Sequence, residues 1–153
     1  MPAERTDIVV EITCDCQNLE VDFDRLNRLA EKICQRFFVS QATVSIAIVD
    51  DDLIRKVNKK FLNRPDRTDV ISFDLSDDKD IAKSFELLIN ADEAARQASK
   101  RGHSIEAELA LYITHGLLHN LGFDDTEDIQ ARKMHKMEDK ILQQAGFGIV
   151  YDK

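Results

Sequence analysis

Apolar positions along the chain follow two periods, and the changes between them mark out its elements. Alternation in DIVVEIT at 7–13 puts Ile8, Val10 and Ile12 on one face, which predicts a half-buried strand. From Phe23 the spacing becomes helical through Leu26, Leu29, Ala30, Ile33 and Phe37, with Asp22 or Asp24 as N-cap and Arg36 near the other end. TVSIAIV at 43–49 alternates again, with Val44, Ile46 and Ile48 on one face. The acidic run Asp50, Asp51, Asp52 then suits the positive end of a helix dipole and predicts a helix from about Leu53 to Phe61. That helix carries Leu53, Val57 and Phe61 at helical spacing and basic residues on its remaining faces. In DVISFDL at 69–75, Val70, Ser72 and Asp74 alternate with Ile71, Phe73 and Leu75, as expected of a strand covered on both faces.

SDDKDIAKS at 76–84 reads as a polar loop and the best candidate for a mobile segment, followed by a short strand, FELLIN, at 85–90. ADEAARQASKRG at 91–102 has the alanine content of a helix and a glycine stop at Gly102. Ser104 caps the next helix, Ile105 to Leu121, which is apolar almost all round and is therefore expected to be central and buried. The last helix, about Thr126 to Ala145, places Ile129, Met134, Met137, Ile141 and Leu142 inward and ends at Gly146. The periodicity gives four strands and about five helices, with no repeat or linker, so residues 1–153 are expected to form one domain.

Composition narrows the class. A chain of 153 residues and 17.5 kDa can bury an ordinary core without disulfides. Cys14, Cys16 and Cys34 match no zinc-knuckle spacing, and MPAERTD is no signal segment, so the expectation is a reduced, cytoplasmic, soluble protein. A formal charge of −8 argues against tight, nonspecific nucleic-acid binding. It leaves room for a local cationic cluster, which Arg55, Lys56, Lys59, Lys60, Arg64 and Arg67 provide.

The candidate chemistry lies in HGLLHNLGFDD at 115–125. Histidines four apart on a helix share a face, so His115 and His119 can converge on one ion. Gly122 accepts the left-handed conformation that ends a helix, and the turned chain can bring Asp124 or Asp125 back toward them. Three nitrogen and oxygen ligands with open positions are the catalytic form of a zinc site, and Ni²⁺ or Mn²⁺ also suits such a set. Asp125 has an ordinary alternative as part of the N-cap of the last helix. Asp124 competes for the ligand role or orients a histidine. His103 and His135 lack partner spacing and read as solvated surface residues.

This stretch resembles the H-G-x-L-H-x-x-G-Y-D-H signature of the YbeY endoribonucleases. Asn58 with Phe61, TDVISF at 68–73 and Glu108-Leu109 resemble further family motifs at matching separation, so that the resemblance runs from about Val44 to Ala145. It implies an α+β fold with a small mixed sheet of about four strands, packed by helices around a central His-bearing helix in a zincin-like arrangement. It also implies a Zn²⁺-dependent endoribonuclease acting on single-stranded RNA in rRNA maturation and ribosome quality control. The implied partners are rRNA and the ribosomal subunit, with ribosomal proteins or a GTPase as further candidates.

Departures from the family pattern bear on the site. The third family ligand is histidine, whereas Asp125 stands here, with Asp124 matching the preceding family aspartate. The family arginine that follows the N-x-x-Y/F stretch is Leu62 here, and the proline before T-D-V is Arg67. Arg64 or Arg67 compensates in this reading by screening charge on the phosphate, so Arg64, Arg67 and Asp124 are the candidate catalytic residues beside the ligands His115, His119 and Asp125. Gly116 occupies the place of the glutamate base of H-E-x-x-H proteases, which makes peptide hydrolysis the weaker enzyme reading. The rival from another class is a ribosome-assembly factor with a structural metal and little or no catalysis.

Overall fold

The computed structural model describes residues 7–16, 19–62, 68–77 and 81–148. Its elements run β1 (Asp7–Cys14), α1 (Phe23–Arg36), β2 (Gln41–Val49), α2 (Asp51–Leu62), β3 (Val70–Asp74), β4 (Lys83–Asn90), α3 (Ala91–Arg101), α4 (Ile105–Asn120) and α5 (Asp128–Gln144). The four strands form one mixed sheet in the order β1-β2-β4-β3. β1 and β4 run parallel to β2, with Val10 opposite Val44 and Val44 opposite Phe85. β3 is antiparallel to β4 at the edge, with Ile71 opposite Leu88. The fold is α+β, as the periodicity and the resemblance imply.

Strand alternation divides the apolar residues between two faces. Val44, Ile46 and Ile48 of β2, Phe85, Leu87 and Ile89 of β4 and Val70 of β3 join the large core with α1 and α4. Val49, Ile71, Phe73 and Leu88 lie on the other face, where Ile54 and Val57 of α2 cover them. The starts of α1, α2 and α4 are fixed locally by side-chain caps. Asp22 Oδ1 accepts from Arg25 N at 3.1 Å, Asp50 Oδ1 from Leu53 N at 2.9 Å and Ser104 Oγ from Ala107 N at 3.1 Å. Gly102, in the left-handed conformation at φ 73°, ends α3.

Helix α4 is buried along most of its length and packs against α1, α3, α5 and the β3–β4 side of the sheet. Gly116 permits that approach. A Cβ there would come within 2.9 Å of Leu87 Cδ2 and 3.1 Å of Val70 Cγ2. Asn90, fully buried at the end of β4, ties three elements together. Its Oδ1 accepts from Asp92 N and Glu93 N at the start of α3, while its amide donates to Asp51 Oδ1 and to the carbonyl of Thr68.

Three details differ from expectation. The inward face of α2 is Ile54, Val57 and Asn58, while Leu53 and Phe61 are exposed. The helix starts at Asp51, and its fit on Val49 and Ile71 selects Ile54 as the buried residue. Ile129 is also exposed, in the first turn of α5, before that helix reaches the core at Met134. β4 begins at Lys83 because Lys83 and Ser84 pair with Ala42 and Thr43, and Leu75 N donates to Ser84 O at 2.8 Å. The expected polar loop is correspondingly shorter, and its residues 78–80 lie outside the described residues.

Candidate metal centre and adjoining cleft

His115 and His119 occupy successive turns at the C-terminal end of α4, and their Nε2 atoms lie 3.1 Å apart. After α4 the chain turns at Leu121 and Gly122. Leu121 N donates to Leu117 O, Gly122 N to His119 O and Phe123 N to Leu118 O, with Gly122 at φ 101°. That turn brings Asp125 Oδ2 to 3.6 Å from both Nε2 atoms. Ligands bound at ~2.0–2.1 Å in tetrahedral geometry are separated by roughly 3.3 Å, so three atoms at 3.1, 3.6 and 3.6 Å fit one face of a zinc-sized site.

The outer ring nitrogens support this fit. His115 Nδ1 lies 2.6 Å from Glu138 Oε1, and His119 Nδ1 lies 3.2 Å from the carbonyl oxygen of Phe123. Both partners are acceptors, which assigns the protons to Nδ1 and leaves the two Nε2 lone pairs directed at each other and at a carboxylate. Such an arrangement is repulsive without a cation between the groups. Burial works against a charged His115, but the hydrogen bond and charge of Glu138 outweigh it, with Asp69 and Asp125 adding, and the pKa is raised.

Asp125 is not the cap of α5. That helix starts at Asp128 with Glu127 at the cap position, which frees the Asp125 side chain to face the histidines. Asp124 is placed differently. Its oxygens accept from the Thr126 hydroxyl at 3.1 Å and from the amides of Asp125 at 2.7 Å and Thr126 at 3.2 Å, and these bonds hold its carboxyl below the usual range. It braces the turn that carries Asp125. Arg64 and Arg67 lie outside the described residues, as does the side chain of Leu62.

Neither remaining histidine is a solvated surface residue. His103 is nearly enclosed, with Nε2 against the carboxylate of Glu108, and His135 Nδ1 lies 3.3 Å from Glu138 Oε2. Glu108, fully buried in the first turn of α4, also takes Arg101 Nη1 at 3.1 Å. Sequence reasoning missed Glu138 as the partner of His115. Its only signal was an acid on the inward stripe of α5, one turn after Met134 and beside Ile141 and Leu142.

A cleft of about 320 Å³ opens beside His115. Thr68 and Asp69 at the entry to β3, Glu93, Gln97 and Arg101 of α3, Leu111 and Tyr112 of α4, and Glu138 of α5 complete its walls. The site therefore joins a corner of three converging candidate ligands to a roomier, acid-rich recess.

The family model described as Endoribonuclease YbeY matches residues 11–146. A curated protein of that name from Carboxydothermus hydrogenoformans is 36% identical over 140 residues, which covers 90% of this chain and 98% of that one. Another of the same name from Staphylococcus saprophyticus is 34% identical over 130 residues, 80% of this chain and 84% of its own. The solution structure of TM1509 from Thermotoga maritima has the same fold, with a TM-score of 0.58 at 20% identity over 89% of this chain and 91% of that one.

Proposed function

The chain belongs to the endoribonuclease YbeY family, and on that premise we propose that it is a metal-dependent hydrolase that cuts single-stranded RNA. Its role in this proposal is rRNA maturation and ribosome quality control in the cytoplasm, with the whole chain acting as one domain. The carrying observation is the convergence of His115 Nε2, His119 Nε2 and Asp125 Oδ2, with both rings oriented from behind. Two imidazoles and a carboxylate suit Zn²⁺, with Ni²⁺ as the alternative transition ion. When bound, zinc would polarise the scissile phosphate and acidify water.

The chain's own groups do the rest. Glu138 holds the proton of His115 on Nδ1, and Asp124 braces the turn that presents Asp125. Arg64 and Arg67, between α2 and β3, screen the charge that develops on the phosphate. Arg55, Lys56, Lys59 and Lys60 are exposed on α2 and give an acidic protein a local cationic face for the RNA backbone. The ribosomal subunit, ribosomal proteins and a GTPase are the partners this role brings.

Peptide hydrolysis is disfavoured because position 116, where the protease base would stand, faces Leu87 and Val70 of the sheet rather than the ligands. The test offers zinc-loaded protein a single-stranded RNA, the corresponding duplex and a peptide library. Cleavage of the single strand alone is expected. A cut peptide library with intact RNA contradicts the proposal, and bound metal with no cleavage of either favours a non-catalytic assembly factor.

A further inference from the structure

The C-terminal end of α1 carries a side chain that its backbone does not favour. Val39 N donates to Cys34 O at 3.0 Å and Phe38 N to Gln35 O at 3.1 Å, the pair of bonds that closes a helix through one left-handed residue, here Phe38 at φ 64°. Gly122 and Gly146 hold the same place after α4 and α5, and Phe38 is the one non-glycine with positive φ among the described residues. A bulky side chain in that conformation meets a steric penalty that glycine avoids. Packing does not offset it, because Phe38 is 94% exposed. Strain kept at a solvated aromatic ring points to a role outside the fold.

Charge beside the ring indicates what it meets. Arg28, Lys32 and Arg36 follow at four-residue steps, a row about 12 Å long on one side of α1 that ends two residues before Phe38. Arg25 starts the row but is engaged, by Glu106 at 3.0 Å and by the Phe147 ring. Arg36 donates to the neutral Gln144 Oε1 at 2.9 Å and keeps its charge, while Arg28 and Lys32 are exposed and pair with no acid among the described residues. Lys32 and Arg36 also border a groove of about 270 Å³ against α5. Helix α2 covers the opposite face of the sheet, so this row is separate from Arg55, Lys56, Lys59 and Lys60. It leads instead to the candidate metal centre. Phe37 meets Phe123 edge-on with ring centroids 5.5 Å apart, and the Phe123 carbonyl oxygen lies 3.2 Å from His119 Nδ1.

We propose that Phe38 with Arg28, Lys32 and Arg36 forms a second binding site for single-stranded RNA, in which a base stacks on the Phe38 ring and the adjoining phosphates lie along α1. The inference rests on the RNA-cleaving reading above and extends it from the point of cleavage to the path of the strand. A single strand needs both halves of the site, since its phosphates take counter-charge and its unpaired bases present flat faces to an aromatic ring. A duplex hides those faces in its own stack. Continuity with the candidate metal centre favours the strand that is cut there over an acidic peptide or a second copy of this chain.

The experiment measures Kd of the zinc-loaded full chain for a fluorescent single strand of about 12 nucleotides, 2′-O-methylated throughout and checked on a gel to be uncut. Phe38→Gly supplies the residue that the backbone favours, so Tm should be unchanged or higher while Kd rises at least about fivefold, the lower end of the effect of one stacked base. Phe38→Trp should keep tight binding. Arg28→Gln combined with Lys32→Gln should weaken binding and reduce the slope of log Kd against log salt by about 1.4, as for two lost phosphate contacts. The matching duplex should respond to the charge variant and not to Phe38→Gly. An unchanged Kd in Phe38→Gly, an equal loss for the duplex, a salt slope unaltered by the charge variant, or a Phe38→Gly effect confined to self-association in sedimentation overturns the site. Cleavage of unmodified RNA by a protein whose Kd ignores both variants leaves the nuclease assignment standing without this site. The expected binding pattern without any such cleavage leaves the site standing and sinks the nuclease assignment.

Discussion

His115 and His119 were readable in the sequence because their relation is local: four residues on a helix fix a shared face whatever the fold. Asp125 was ambiguous, since an acid just before Thr126 and Glu127 is equally a helix cap, and only the start of α5 at Asp128 separates the two roles. Glu138 was out of reach because it meets His115 from another helix, 23 residues along the chain. Its effect is measurable. Glu138→Gln should lower zinc affinity about 10–100-fold, the usual cost of losing the group that orients a ligating histidine. Competition with a chromophoric chelator reads this directly. In the same assay Asp125→Ala should bind zinc more weakly and Asp125→His should retain or strengthen binding, while unchanged affinity in Asp125→Ala would remove it from the ligand set.

At the level of elements, the strands and helices were legible because each buries a periodic face. The errors fall where tertiary contact selects among nearby apolar residues. α2 offers Leu53, Ile54, Val57 and Phe61, and the narrow face made by Val49 and Ile71 takes Ile54 and Val57. Gly116 shows how packing between elements shapes the chemistry of the site. In sequence it looked like the absence of a protease base; in the structure it is the point where α4 meets β3 and β4. Gly116→Ala should destabilise by about 1–3 kcal/mol in chemical denaturation, since the fully buried Leu87 must shift to admit the methyl. Gly116→Glu should lose the fold and yield no peptidase. A folded, peptide-cleaving Gly116→Glu protein would reverse the assignment of that position.

The order of the sheet was not legible. Nothing local to β3 says that it pairs antiparallel at the edge beyond β4, a choice made by long-range contacts with α2 and α4. The whole molecule also sets a pH response through His115, whose pKa the fold raises. In metal-free protein that shift contributes stability that is complete below about pH 6.5 and is lost as pH rises through the raised value. A metal competes with the same proton, so zinc should stabilise the protein least in acid and progressively more toward neutral pH. Thermal unfolding of stripped and zinc-loaded protein across about pH 5–8 checks both signs. A zinc-induced rise in Tm that is largest at the acid end contradicts the assignment.

The most direct test is to titrate zinc into metal-stripped protein while following cleavage of a single-stranded RNA, with His115→Ala, verified as folded, measured alongside. Cleavage should be absent at first, rise to saturation at one ion per chain, and stay absent in the variant. Cleavage that survives stripping, or that is equal in His115→Ala, would show that His115, His119 and Asp125 are not the centre of the activity.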